Sequence, residues 1–223
     1  MSPTVFTKSY DAPPLCEREI LRYAGCKGGD SALDEPLRAC IGEAKDAFRY
    51  RVCYTRLSVR AADGVCDFGV FSLKSEQLAK NLAGCDGVLL FAATVGVGID
   101  RLIAKYGRVS PAKALLFQAL GAERIEALCD VFCDDAAKEL NVGLRPRFSP
   151  GYGDLPLAAQ KDIFAVLDCG KRIGLSLNDS LLMSPSKSVT AFAGLSGDAT
   201  ETPSPAARCA ACGKQNCAYR GTL

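Results

Sequence analysis

The longest regular pattern in the chain begins at Ser110-Pro111 and places Phe117, Gly121, Ile125, Leu128, Phe132, Ala136 and Leu140 at intervals of three and four. That spacing predicts one long helix with a single buried stripe, with Pro111 in its first turn and Asn141 and Gly143 at its end. Residues 88–94, Val-Leu-Leu-Phe-Ala-Ala-Thr, show no polar alternation. Such a run suits a strand buried on both faces, and it is the best candidate for the centre of a sheet. Shorter signals fill the rest. A helix is expected over 15–25. A second is capped by Ser31 or Asp34, carries Pro36 in its first turn, and runs through Leu37, Ile41, Ala44 and Phe48. Residues 50–59 and 65–73 read as a hairpin around Ala62-Asp63-Gly64, and Ser75 opens a short helix through Leu78, Ala79 and Leu82. Beyond the long helix come a strand over 144–148, a helix from about 156 to 167, and β-rich segments at 173–177 and 188–195.

After Gly197 the pattern stops. Residues 198–207 are small and polar with two prolines, so they bury little and read as an exposed linker. This divides the chain into a folded domain at 1–197 and a linker with a cysteine-rich tail at 198–223.

Composition narrows the chemistry. The 223 residues are 48% hydrophobic and 23% charged with a net charge of +2, which gives no electrostatic footprint for nucleic acid or an anionic membrane surface. The apolar run at 87–97 is shorter than the ~20 residues a membrane span needs. There is no histidine and no tryptophan. Ser-His-Asp and Cys-His nucleophile pairs, His-bearing zinc and iron sites, and imidazole ligation of heme or cobalamin all need a side chain this protein lacks. Twelve cysteines are scattered through apolar stretches, and no secretory signal stands at Met1-Ser2-Pro3-Thr4, so reduced thiols in the cytosol are expected.

Candidate chemistry gathers in two places. The first is Arg145-Pro146-Arg147-Phe148-Ser149-Pro150-Gly151-Tyr152-Gly153-Asp154. Prolines fix φ, the glycines let backbone approach a ligand, and Arg147 with Tyr152 offers a carboxylate fork beside an aromatic face. The loop suits a zwitterionic or adenine-bearing ligand; the plain alternative is a rigid turn with its arginines in solvent. The second is Cys209-x-x-Cys212-x-x-x-x-Cys217, a C-x2-C-x4-C array with Gly213 between ligands. It signals an iron-sulfur cluster, with zinc as the runner-up and the fourth ligand open. Two weaker motifs are set aside. Gly96-Val97-Gly98 lacks the third glycine of a dinucleotide fingerprint and reads as a strand-to-helix turn. Cys129 and Cys133 share a helix face and read as buried thiols, and no C-x3-C-x2-C of a radical S-adenosylmethionine enzyme occurs.

Arg147-x-x-x-Gly151-Tyr152, followed by Pro156 and Lys161, then Ile173-Gly174-x-Ser176-Leu177-x-x-Ser180, then Met183-x-Pro185-x-x-Ser188-Val189, resembles in order and spacing the reactivation domain of cobalamin-dependent methionine synthase. The resemblance runs from about 110 to 195 and does not extend into the tail. Together with the pattern it implies an α/β (α+β) fold: a mixed, largely antiparallel twisted sheet with flanking helices and one long helix. It also implies an S-adenosylmethionine-binding component that supports reductive remethylation of cob(II)alamin on a separate corrinoid-binding methionine synthase or related methyltransferase. Cobalamin would be held by that partner, and electrons would come from a donor such as flavodoxin or ferredoxin. Carried over by position, Arg147 meets the ligand's carboxylate, the Gly151 region supplies backbone, Tyr152 lies at the ligand, and Glu126 on the long helix faces its ammonium. The rival class is an iron-sulfur or zinc adaptor that serves a corrinoid methyltransferase without binding S-adenosylmethionine.

Overall fold

The computed structural model describes residues 3–26 and 31–197. In chain order the elements are β1 (Phe6–Tyr10), α1 (Glu17–Tyr23), α2 (Asp34–Ala44), β2 (Tyr50–Ser58), β3 (Arg60–Ala62), β4 (Val65–Asp67), β5 (Ser72–Lys74), α3 (Glu76–Asn81), β6 (Gly87–Thr94), α4 (Gly98–Val109), α5 (Pro111–Leu140), β7 (Gly143–Leu144), α6 (Gln160–Leu167), α7 (Cys169–Ile173), β8 (Ser176–Leu177), β9 (Met183–Ser184) and β10 (Ser188–Ser196). The fold is mixed α/β. Its main sheet has the order β1-β2-β6-β10-β7, and every neighbouring pair is antiparallel.

The all-apolar run becomes β6 and occupies the middle of this sheet, with seven of its eight residues buried. One face packs against α1, α2, α4 and α5 through Ile20, Leu37, Ile99, Phe117, Leu128 and Phe132. The other packs against α3, α6, α7 and a small β3-β4-β5 sheet through Leu78, Ile163, Cys169 and Phe68. The long helix is continuous from Pro111 to Leu140 and ends at Asn141 in a left-handed conformation (φ 49°), as its terminal signals predict. Phe132 locks it to the sheet, with its ring 5.1 Å from Tyr54 and 4.9 Å from Phe91. Ser75 caps α3 by accepting the Leu78 N–H.

Several expected elements differ. The hairpin is confined to β3 and β4 around Asp63-Gly64, both at positive φ; residues 50–58 leave it to pair with β1 and β6. The second helix stops at Ala44, short of Phe48. Its N-cap is Leu33 with no side-chain bond, and Asp34 lies inside its first turn. The strand over 144–148 shrinks to two residues and one bridge between Phe148 and Phe192, since Pro146 donates no ladder hydrogen bond. At 173–177 only Ser176–Leu177 is strand, because α7 runs to Ile173 and Gly174 (φ 71°) ends it.

A buried ion pair fastens the N-terminal strap to α5. Arg124 and Glu123 are 3% and 5% exposed. Arg124 donates to the carbonyls of Pro13 and Pro14 at 2.6 and 2.7 Å, and Glu123 accepts the Cys16 N–H at 3.0 Å. The backbone groups by which this largely exposed strap meets the helix are thereby satisfied by charged side chains.

Candidate functional site

Helix α5 presents Glu126 and Asp130 four residues apart, so both carboxylates leave the helix on the same side. Arg147 reaches them from the loop after β7. Its Nη2 donates to Glu126 Oε2 at 2.8 Å and its Nη1 to Asp130 Oδ1 at 2.5 Å. The guanidinium is 20% exposed and the carboxylates about half exposed, so the pair sits at a cavity wall. Burial alone would lower the Arg147 pKa, but the negative charge around the guanidinium, that of the Asp130 and Glu126 carboxylates, outweighs it and holds the group above its ordinary value. Burial also pushes the Cys129 and Cys133 thiols up, so they stay protonated and serve as packing beneath the guanidinium. One cation against two carboxylates leaves the cluster with a net charge of −1.

The loop that follows is held at both ends. Phe148 exchanges two backbone hydrogen bonds of 2.9 Å with Phe192 of β10. Gly151, at φ 91°, donates its N–H to Leu155 O at 2.9 Å, and Tyr152 donates to Ser149 O at 3.1 Å. Asp154 then accepts from the Ser75 hydroxyl and from the N–H groups of Glu76 and Gln77 at 2.7 and 3.3 Å, capping α3 from across the fold. The Ser75 hydroxyl and these N–H groups hold the Asp154 carboxyl below the usual carboxylate range. Gly153 packs so closely on α3 that a Cβ there would lie 2.1 Å from Gln77 Oε1. These restraints set Tyr152 at the surface, 63% exposed.

Between loop, α5 and sheet lies a cavity of about 580 Å³, within the usual range for a small-molecule site. Glu126, Arg147, Phe148, Tyr152, Met183 and Thr190 line it, and so does Gln160 from α6. Two of these side chains carry buried polar atoms without a hydrogen-bond partner among the described residues: Gln160 Oε1 and Thr190 Oγ1, on residues only 5% and 2% exposed. Beyond Phe192, β10 has no neighbour on this side among the described residues, since β7 pairs only with Leu195 and Ser196. Alternation along the strand turns the N–H and C=O of Thr190 to the same open edge as those of Phe192. The cavity therefore joins an anionic wall, an apolar surface and unsatisfied hydrogen-bonding groups, which suits a cationic ligand with a flat, polar-edged body.

The structure brings Glu126, Arg147 and Tyr152 to this cavity. Gly151 does not line it; its N–H closes the turn, and Gly153 takes the wall position. Cys209, Cys212 and Cys217 lie outside the described residues. Among the described residues no group of three Cys, Asp or Glu could hold a metal ion, and the nine cysteines are free thiols. Sequence reading missed Asp130, Gln160 and Thr190, and it included Asp154 in the candidate stretch without a role. Asp130 was findable by its i+4 relation to Glu126, whereas Gln160 and Thr190 carry no local signal.

No family model matches the chain, and no curated protein matches it in sequence. Among solved structures, the crystal structure of the MetH reactivation domain bound to AdoHcy is similar, with a TM-score of 0.64 and 14% identity, over 86% of this chain and 78% of that one. At that identity the likeness is one of fold. Among the described residues no helix is long and apolar enough to cross a membrane.

Proposed function

We propose that the chain binds S-adenosylmethionine in the 580 Å³ cavity and serves as a reactivation component for a separate corrinoid-binding methionine synthase or related methyltransferase. The observation that carries this is the Glu126–Arg147–Asp130 cluster beside the orphaned Gln160 and Thr190. S-adenosylmethionine has an ammonium, a sulfonium and a carboxylate, so its net charge of +1 complements the −1 of the cluster. Glu126 is free to turn from Arg147 to the ammonium while Arg147 takes the ligand carboxylate, so that each ion finds a new partner as it loses an old one. The adenine and ribose then offer polar edges to Gln160, to Thr190 and to the open strand. The fold shared with a domain crystallised with AdoHcy supports the same ligand class.

When bound, S-adenosylmethionine supplies an already activated methyl group. The residues of this chain then have to bind, orient and exclude water, and no general acid or base is required of a protein without histidine. Cobalamin belongs to the partner. The tail is proposed as a separate module at 198–223 in which Cys209, Cys212 and Cys217 hold an iron-sulfur cluster or zinc, a spacing that packing does not explain.

Calorimetric titration tests the proposal. Saturable binding of S-adenosylmethionine is expected, and Arg147→Ala should weaken it by about 2 kcal/mol, roughly thirtyfold, through loss of a charge-assisted contact. Absence of saturable binding to the intact chain removes the reading and leaves an adaptor role.

A further inference from the structure

A second cavity, of about 370 Å³, lies against the same end of the sheet and has the opposite electrical character. Cross-strand register aligns Ser9, Arg51, Thr94 and Ser188 in one row over β1, β2, β6 and β10, and directly paired residues share a face. Arg51 and Thr94 line the second cavity, whereas Ser188 lines the first. The Thr94 and Ser188 hydroxyls hydrogen-bond at 2.8 Å, and Met183 faces the first cavity while Ser184 and Pro185 face the second. The two spaces therefore share one wall.

Arg49, two residues before Arg51, lines the same space. Its Nη1 donates to the carbonyls of Asp46 and Phe48 at 3.1 and 2.7 Å, which fixes the guanidinium, and its other N–H groups make no hydrogen bond among the described residues. Gly96, at φ 83°, closes in behind it, where a Cβ would stand 3.1 Å from Arg49 Cβ. Among the described residues neither Arg49 nor Arg51 forms an ion pair, in contrast to Arg22, Arg124 and Arg147. No carboxylate among the described residues lines the cavity. Asp100, on the adjoining α4, accepts instead from the Ser186 N–H at 2.9 Å and from its hydroxyl. Arg172 of α7 adds a third positive charge near Cys53, the next residue after Arg51 on its side of β2.

We propose that this cavity is an anion site that binds the phosphate group of a small phosphoester through Arg49 and Arg51. Two guanidinium forks match the two charges and three terminal oxygens of a phosphate monoester, whereas a carboxylate occupies one fork only. The volume leaves room beside the phosphate for a substituent of about sugar size.

The test uses the whole chain and side-chain Nε–Hε resonances of its arginines, titrated with inorganic phosphate and with ribose 5-phosphate against sodium chloride at matched ionic strength. The expected result is saturable shifts at Arg49 and Arg51, with ribose 5-phosphate the tighter ligand. Arg51→Gln, an exposed substitution, should weaken both phosphates at least fivefold with the melting temperature unchanged, and Arg51→Lys should fall between. Arg147→Ala in the first cavity should leave this binding unchanged, so the site stands or falls apart from S-adenosylmethionine binding. Shifts that chloride reproduces, or a loss below fivefold in Arg51→Gln, would overturn the site. Equal affinity for inorganic phosphate and the ester would overturn the assignment to a phosphoester.

Discussion

At the scale of single residues, two arginines with similar surroundings serve different ends. Arg124 is sealed with Glu123 beneath the N-terminal strap, where its partners are all internal, so its removal acts on stability. Arg124→Met leaves Glu123 buried and unpaired and is expected to cost about 3–5 kcal/mol, read as a lower urea midpoint at unchanged slope. Arg147 stands at a cavity wall with two half-exposed carboxylates that a ligand can displace, so its removal acts on binding. Arg145 carries no such contact: its N–H bonds Gly194 O and it does not line the cavity. Arg145→Ala should therefore bind S-adenosylmethionine within about threefold of the parent chain, against the roughly thirtyfold loss for Arg147→Ala. Equal losses would mean that the fork sits on the other arginine. The resemblance to the reactivation domain already separated Arg147, through its place ahead of Gly151-Tyr152. It could not separate Gln160, whose place at the cavity depends on α6 packing across the sheet from residues more than thirty positions away in the chain.

At the scale of elements, legibility followed how far each segment's fate is decided locally. The long helix announces itself through seven spaced apolar positions and terminal signals at both ends, and β6 through an unbroken apolar run, so both were found with near-correct bounds. β1 is an edge strand with no buried residue, α7 is a five-residue helix, and β9 has two residues; none carries a periodicity to detect. The hairpin expectation failed for a related reason. A turn signal at Asp63-Gly64 fixes only what adjoins it, and the partner of β2 is chosen by burial against β6. The site loop belongs to the same class, because its shape rests on Asp154 reaching the N-terminus of α3. Since the folded Asp154 pKa lies below its unfolded value of ~3.9, this anchor contributes fully above about pH 4 and is lost as pH falls below it. Asp154→Asn is expected to raise amide exchange at Gln77 and Tyr152 and to leave exchange in β6 unchanged at neutral pH; no change at Tyr152 would show that the loop holds itself.

At the scale of the whole molecule, two core clusters, one on each face of the main sheet, form among the described residues. The last strand, β10, ends at Ser196, and its outer positions are already packed beside β6 and β7. The small polar residues that open the tail offer little apolar surface of their own. A chain ending at Gly197 should keep its melting temperature within about 3 °C of the full protein, since a loss of 1 kcal/mol shifts a domain of this size by roughly 2–4 °C. It should also bind S-adenosylmethionine with unchanged affinity, because Glu126, Arg147, Tyr152, Gln160 and Thr190 all precede the cut. The tail's own chemistry separates by colour and metal content: full-length protein purified without oxygen should be brown and carry iron and sulfide, and the shortened chain should be colourless. Zinc in place of iron would make the tail a structural module. If the cluster passes electrons to the partner's cobalt, the shortened chain should bind its ligand normally yet restore the methyltransferase more slowly with flavodoxin or ferredoxin as donor. Equal rates from the two forms would remove electron transfer from the role of the tail while leaving the cavity and its ligand untouched.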